Sequence, residues 1–160
     1  MPARLRSLEQ LMPLPTAGEL IAAKGRALIT VTPGTRARDA LRAMEENDIA
    51  FLPVLEGKTL VGVVSERDIA RGVILHHRAA VREIMTTHVQ TAMPDTNLSG
   101  CVVLMHATRI RHLPVVSDGS VLGVLSVRDL MGSLIERHER LLRRLQEERV
   151  TLLFPYSSSY

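Results

Sequence analysis

The chain writes one phrase twice: GVVSERD at residues 62–68 and GVLSVRD at residues 123–129, 61 positions later. Sliding the sequence against itself by that offset aligns 28–74 with 89–135 without a gap, and 14 of the 47 pairs are identical. Among them are Pro33/Pro94, Thr35/Thr96, Met44/Met105, Leu52/Leu113, Pro53/Pro114, Gly62/Gly123, Ser65/Ser126, Arg67/Arg128 and Asp68/Asp129. Self-similarity at a fixed offset marks a repeated supersecondary unit. In 160 residues the chain has room for one domain or two very small ones around a single substantial core.

Each copy reads β-α-β-β-α. After the apolar run ALITV comes Pro33-Gly34-Thr35, with Thr35 as the expected N-cap. Ala37, Ala40, Leu41 and Met44 then fall at the i, i+3, i+4, i+7 spacing of a helix stripe, matched in the second copy by Leu98, Cys101, Val102 and Met105. FLPVL and TLVGVVS flank a Gly57 turn, and HLPVVS and VLGVLS flank Asp118-Gly119, so each pair predicts a hairpin. The proline in each LPV predicts an edge strand or a strand start, because it has no N–H to donate. Gly62 and Gly123 imply a close approach of backbone or ligand, or else a local turn requirement.

Outside the repeat, TAGELIAAKG predicts a short helix capped by Thr16 and ended by Gly25, and VREIMTT takes the matching place before the second unit. From Met131 to about Leu153 the pattern predicts a long helix. Leu134, His138, Leu141, Leu142, Leu145 and Leu152 form its apolar side, and Glu/Arg pairs occupy the rest. The expected layout is an N-terminal extension at 1–15, units at 16–78 and 79–137, and a C-terminal helix and tail at 138–160.

Composition narrows the function. Aromatic residues are only 2% of the chain, which argues against a surface that stacks nucleobases. A net charge of +3 favours anionic partners, with small phosphorylated ligands as suitable as nucleic acid. The lone Cys101 excludes an internal disulfide and reads as a buried apolar residue. The opening MPARLRSLEQLMPLP lacks the uninterrupted apolar stretch of a signal peptide, and no run is long enough to cross a bilayer. A cytoplasmic location is therefore expected.

Two tandem units carrying LPV and then G-V-[VL]-S-x-R-D, with VREIMT between them, closely resemble a pair of cystathionine β-synthase (CBS) domains, the Bateman module. The resemblance covers residues 16 to about 137. It implies an α/β (α+β) fold in which the units pack sheet against sheet about a pseudo-twofold axis, leaving two clefts, and in which pairs associate as homodimers. It also implies a regulatory protein rather than an enzyme, binding an adenosine ligand: AMP, ADP or ATP, with NAD(H) and S-adenosylmethionine as further members of the class. No obligatory cofactor and no metal are expected, and the output would pass to an effector protein that the sequence does not name.

The resemblance also assigns residues. Asp68 and Asp129 would accept the ribose hydroxyls, a carboxylate having an oxygen for each. Ser65 and Ser126 stand where a helix N-terminus favours phosphate. A Ser followed three residues on by Asp is equally an ordinary helix cap. Arg111 and His112 would reach phosphate in the second unit, with Ile49 and Ala50 forming the adenine wall from the other unit. The first cleft would combine Asp68 and Ser65 with Ile110 and lacks a comparable cation. Arg67 and Arg128 touch phosphate or point to water. The Asp129 cleft is thus expected to hold the phosphorylated ligand more tightly.

Three rival readings stand beside this one. The histidines lack metal-ligand spacing, and no nucleophile elbow or phosphate loop occurs, which weakens the case for an enzyme. Adjacent His76-His77 fit a helix end. Nucleic-acid binding has only the Arg-rich RIRH and ERLLRRLQEER in its favour, and the latter is interleaved with glutamates. A ligand-free interaction or dimerisation module remains the main alternative.

Overall fold

The computed structural model describes residues 13–75 and 79–153. His76, His77 and the tail PYSSSY, together with residues 1–12 of the N-terminal extension, lie outside the described residues.

Two hairpins of matching register form the framework. β1 (Phe51–Glu56) pairs antiparallel with β2 (Thr59–Ser65), and β3 (His112–Ser117) with β4 (Ser120–Ser126). Both carry a bulge at the same place, after Val54↔Gly62 and after Val115↔Gly123. The turns use left-handed backbone at Gly57 (φ 64°) in one hairpin and at Asp118 (φ 49°) and Gly119 (φ 76°) in the other. That conformation is the reason these tips carry Gly and Asp.

The first predicted strand of each unit is much shorter than ALITV suggests. It amounts to a single parallel bridge, Val31 to Val54 in one unit and Ala92 to Val115 in the other. Val31 N–H donates to Pro53 O (3.1 Å), and Leu55 N–H donates to Val31 O (2.8 Å). The next rung would need an N–H from Pro53 to Ile29 O, and proline has none. The same holds at Pro114, where Ala92 is the bridging residue. The prolines stand where the sequence expects them, near the start of strands that are edges of two-stranded sheets. On the outer side of β1 and β3 they hold the contact with the preceding segment to a single bridge.

α2 (Ala37–Asn47) and α5 (Leu98–Thr108) bury three of the four stripe residues expected of each, Ala37, Ala40 and Met44, and Leu98, Cys101 and Met105, whereas Leu41 is half-buried and Val102, at the edge of its stripe, is exposed. Cys101 is fully buried, and burial raises its thiol pKa above the ordinary value. Thr35 is not the N-cap; Arg36 occupies that place, while Thr35 Oγ1 accepts from Thr32 N–H at 3.1 Å and closes the preceding turn. Thr96 does the same for Met93, leaving Asn97 to cap α5. A hydroxyl can bond its own loop as well as a helix end, so composition alone does not separate the two.

α1 (Ala17–Lys24) begins at a Thr16–Glu19 capping box and ends at Gly25 (φ 58°), as its sequence predicts. Its packing is unexpected. Although it precedes the first unit, Ala17, Leu20 and Ile21 join the core of the second, with Leu98, Cys101, Leu113 and Leu125. Ala17 N–H donates to Thr96 O (2.7 Å), and Leu98 N–H to Pro15 O (2.8 Å). Conversely, α4 (Val81–Ile84), ahead of the second unit, supplies Val81 and Ile84 to the first core beside Met44, Leu52, Val64 and Ile69. Each unit is therefore completed by the segment that introduces the other.

That exchange explains the repeated glycines. A Cβ on Gly123 would lie 2.7 Å from Ile21 Cδ1, and one on Gly62 would lie 2.7 Å from Met85 Sδ and 3.1 Å from Thr86 O. The close approach inferred from sequence is real, and its cause is the incoming segment.

α3 (Glu66–Leu75) leaves β2 directly, and α6 (Val127–Leu153) leaves β4. The sequence suggested a motif helix from Ser126 and a separate long one from Met131; the two are one continuous helix of 27 residues. Met131, Leu134, Ile135, Leu142 and Leu145 on it are exposed, Leu141 is half-buried, and the side chain of Leu152 lies outside the described residues. Among the described residues no helix is long and apolar enough to cross a membrane.

Candidate ligand-binding site

Both Ser-x-x-Asp motifs sit at a strand-to-helix junction, and both are capping boxes. Ser65 N–H and Oγ–H donate to Asp68 Oδ2 at 2.9 and 2.6 Å, while Asp68 N–H donates weakly back to Ser65 Oγ at 3.4 Å. In the second unit Ser126 N–H and Oγ–H donate to Asp129 Oδ2 at 2.7 and 2.8 Å, and Asp129 N–H donates to Ser126 Oγ at 3.2 Å. The carbonyls just before β1 and β3 satisfy a further helix donor: Glu66 N–H bonds Ala50 O (3.2 Å), and Val127 N–H bonds Arg111 O (3.0 Å). These helix starts are therefore less open to an anion than the motif alone suggests. All the protein donors converge on one oxygen, however. Among the described residues none reaches Oδ1 of either aspartate, so each half-buried carboxylate keeps an acceptor for a hydroxyl.

The two junctions differ in their electrostatics. Asp129 carries an ion pair with Lys24, whose Nζ lies 2.8 Å from Oδ2 and 3.0 Å from Val124 O, with 27% and 25% of the two side chains exposed. Burial pushes the Asp129 carboxyl up, but hydrogen bonds from Lys24 and Ser126 together with the ammonium charge outweigh it and hold it below the ordinary value. Sequence reading did not single out Lys24. A lysine in the last turn of a helix is the usual complement to the helix dipole, and only the packing of α1 on the second unit carries it to Asp129.

His112 stacks on Phe51 with ring centroids 4.8 Å apart and an interplanar angle of 15°. The two are equivalent positions of the repeat, and each begins a strand opposite a motif serine: Phe51 faces Ser65 and His112 faces Ser126. The stack therefore joins the units between the two junctions, where β2 and β4 also meet. Burial lowers the His112 pKa, as do the charges of Arg111 and Lys24, against a smaller opposing effect of Asp129. At pH 7 the imidazole is accordingly neutral.

The other sequence candidates fall around this centre. Ile49, Ala50 and Ile110 are half-buried beside the strand starts, whereas Arg111, Arg67 and Arg128 are exposed. The structure thus gathers Asp129, Ser126, Arg111, His112 and Lys24 at one junction, and Asp68 and Ser65 at the other. Ala50 is hydrogen-bonded to the start of α3, on the Asp68 side; only the Phe51–His112 stack brings its neighbourhood toward Asp129. Among the described residues no group of acidic, His and Cys side chains could hold a metal ion.

Paired hairpins with a Ser-Asp junction in each define a module of the CBS type, and comparison with known proteins agrees. The CBS domain family model matches residues 22–74 and 81–136, so the chain belongs to the CBS-domain family as a tandem pair. A signal-transduction protein with CBS domains from Burkholderia ambifaria is 38% identical and superposes with a TM-score of 0.70, over 76% of this chain and 94% of that one. CBSX2, solved in complex with AMP, is 28% identical with a TM-score of 0.67, over 78% and 98% of the two chains. The mitochondrial CBS domain-containing protein CBSX3 of Arabidopsis thaliana is 29% identical over 143 residues, 81% of this chain and 69% of that protein.

Proposed function

We propose that this CBS pair is a regulatory module that binds an adenosine phosphate, AMP, ADP or ATP, at the Asp129 junction. The observation that carries the reading is the Asp129 carboxylate: half-buried, ionised, paired with Lys24, and with one oxygen that none of the described residues claims. Asp129 Oδ1 accepts a ribose hydroxyl; Lys24 and Arg111 face the phosphate; Ile49, Ala50 and the neutral His112 offer apolar surface to the base. Arg128, at the same helix start, adds positive potential. Asp68, Ser65 and Ile110, with Arg67, form a second and weaker site. The AMP complex of the relative CBSX2 supports the ligand class.

Ligand binding signals by favouring one arrangement of units, of a homodimer or of an effector protein over another, since only differential affinity moves such an equilibrium. The module itself performs no catalysis.

Isothermal titration with AMP tests the reading. Saturable binding that Asp129→Ala abolishes supports it, and binding unaffected by that change while Asp68→Ala removes it would overturn the assignment. A ligand selective for the folded state also raises the melting temperature with concentration. The second reading, a docking module, has one observation in its favour: the exposed Met131, Leu134, Ile135, Leu142 and Leu145 on α6. Absence of any shift with the nucleotides would favour it.

A further inference from the structure

We infer that Lys24 selects the ligand class of the Asp129 cleft, restricting it to phosphorylated adenosines, and that its counterpart Met85 leaves the Asp68 cleft to adenosyl ligands without phosphate. The inference rests on the ligand-binding reading above and adds to it the residue that divides the two clefts.

Lys24 and Met85 are separated by the same 61-residue offset as the motifs. Each stands at the end of the helix that crosses to the opposite unit: Lys24 is the last residue of α1, and Met85 is the C-cap of α4. Each also reaches the strand that leads into the Ser-x-x-Asp junction. Met85 lays its thioether over Gly62, whereas Lys24 bonds Val124 O at 3.0 Å and Asp129 Oδ2 at 2.8 Å. The position that delivers an ammonium to Asp129 thus carries, in the other unit, an uncharged thioether packed on Gly62 and the first core, and brings no charge to Asp68.

The neighbouring residues differ in the same direction. Around Asp129 stand Lys24, Arg111 and Arg128, and the residue after Ser126 is the uncharged Val127. Around Asp68 the matching positions are Met85, Ala50 and Arg67, and the residue after Ser65 is Glu66. The second junction thus carries three cations to one carboxylate in its sequence, and the first carries one cation to two carboxylates. His112 adds no charge at pH 7, because burial and its cationic neighbours hold it below its ordinary value.

A ribose on Asp129 Oδ1 leaves the Lys24 pair on Oδ2 intact, so the ammonium stays beside the ligand and a phosphate gains a charge-assisted partner. A neutral thioether nucleoside gains none, and a sulfonium is repelled. At Asp68 the balance is reversed: a phosphate meets Glu66 and Asp68, while a cationic adenosyl group meets two carboxylates against the single Arg67.

Titration of the full chain with AMP and with 5′-methylthioadenosine separates the possibilities. Lys24→Met is expected to weaken AMP binding at least about tenfold, the loss of one charged hydrogen bond, and to leave 5′-methylthioadenosine within about twofold of its original affinity. Lys24→Arg retains AMP. Met85→Lys is expected to strengthen AMP binding at the weaker site. Measured in the Asp68→Ala chain, so that only the Asp129 cleft is read, a purely structural role for Lys24 would lower both affinities together, leaving their ratio unchanged, and that outcome overturns the inference. Lys24→Gln, similar in length and uncharged, replaces Lys24→Met if the latter melts early. If Asp129→Ala abolishes AMP binding while Lys24→Met leaves it unchanged, the inference fails and the ligand-binding reading survives. If the unaltered chain binds neither compound, both fall.

Discussion

Phe51 and His112, the same position in two copies of one unit, stack face to face at 4.8 Å and join the copies at their centre. A repeat that folds back on itself must bring some equivalent residues together near its pseudo-twofold axis. Here one copy supplies an uncharged ring and the other a ring that can gain a proton. The contact is therefore symmetric in shape and asymmetric in charge.

Its first consequence is a pH dependence. The folded-state pKa of His112 lies below its ordinary value of 6.5, so the unfolded chain takes up the proton first. The stability held by the neutral ring is complete above about 6.5 and declines as pH falls through the lower folded value. His112→Phe keeps an aromatic partner for Phe51 and removes the proton site. Melting curves between pH 7.5 and 5, a range chosen around the roughly 6.5 reference, are expected to flatten in the variant. An unchanged slope would assign the pH dependence to other groups.

Asp129 makes its own contribution at lower pH. Its folded pKa is depressed, so its stabilisation is present above its ordinary value of 3.8 and is lost as pH falls through the folded value. Lys24→Met removes the ammonium that depresses it. The expected outcome is an Asp129 titration, followed by carbon-detected NMR, that moves upward in the variant.

Gly123 offers a test of the helix exchange. Gly123→Ala places a methyl 2.7 Å from Ile21 Cδ1 and 2.8 Å from its Cγ2, a branched and stiff neighbour. Overpacking of this kind costs about 1–3 kcal/mol. Gly34→Ala, with nothing within 4 Å, is the control and is expected to stay within about 0.5 kcal/mol of the parent. Urea unfolding measures both, and equal effects would mean that α1 does not hold its place on the second unit.

The serines can be tested for capping apart from binding. Ser65→Ala and Ser126→Ala each remove a cap at a helix start, worth about 0.5–2 kcal/mol by denaturant unfolding. Ser126→Ala is expected to fall at the lower end, because Lys24 still holds the Asp129 carboxylate against the junction. Equal losses would show that the ion pair gives the second cap no support.

Much of this protein follows from local chemistry that a sequence exposes directly. The i, i+3, i+4, i+7 stripe of α2, the Thr16 and Gly25 ends of α1, the hairpin tips and the Ser-Asp junctions all depend on residues within a few positions of one another. Repetition then doubled every signal, which made the paired architecture readable. Local chemistry also misled where one residue has two uses: Thr35 closes a loop instead of capping α2.

Long-range placement was decided by the tertiary structure alone. Lys24 and Asp129 are 105 residues apart, and no periodicity connects a lysine at the end of one helix to an aspartate at the start of another. They meet because neither unit closes its own core: Ala17 and Ile21 pack into the core of the second unit, and they carry Lys24 with them. The sequence by itself determined that there would be two junctions of one design. Packing the first helix across the chain made those junctions unequal, by bringing a positive charge to one of them.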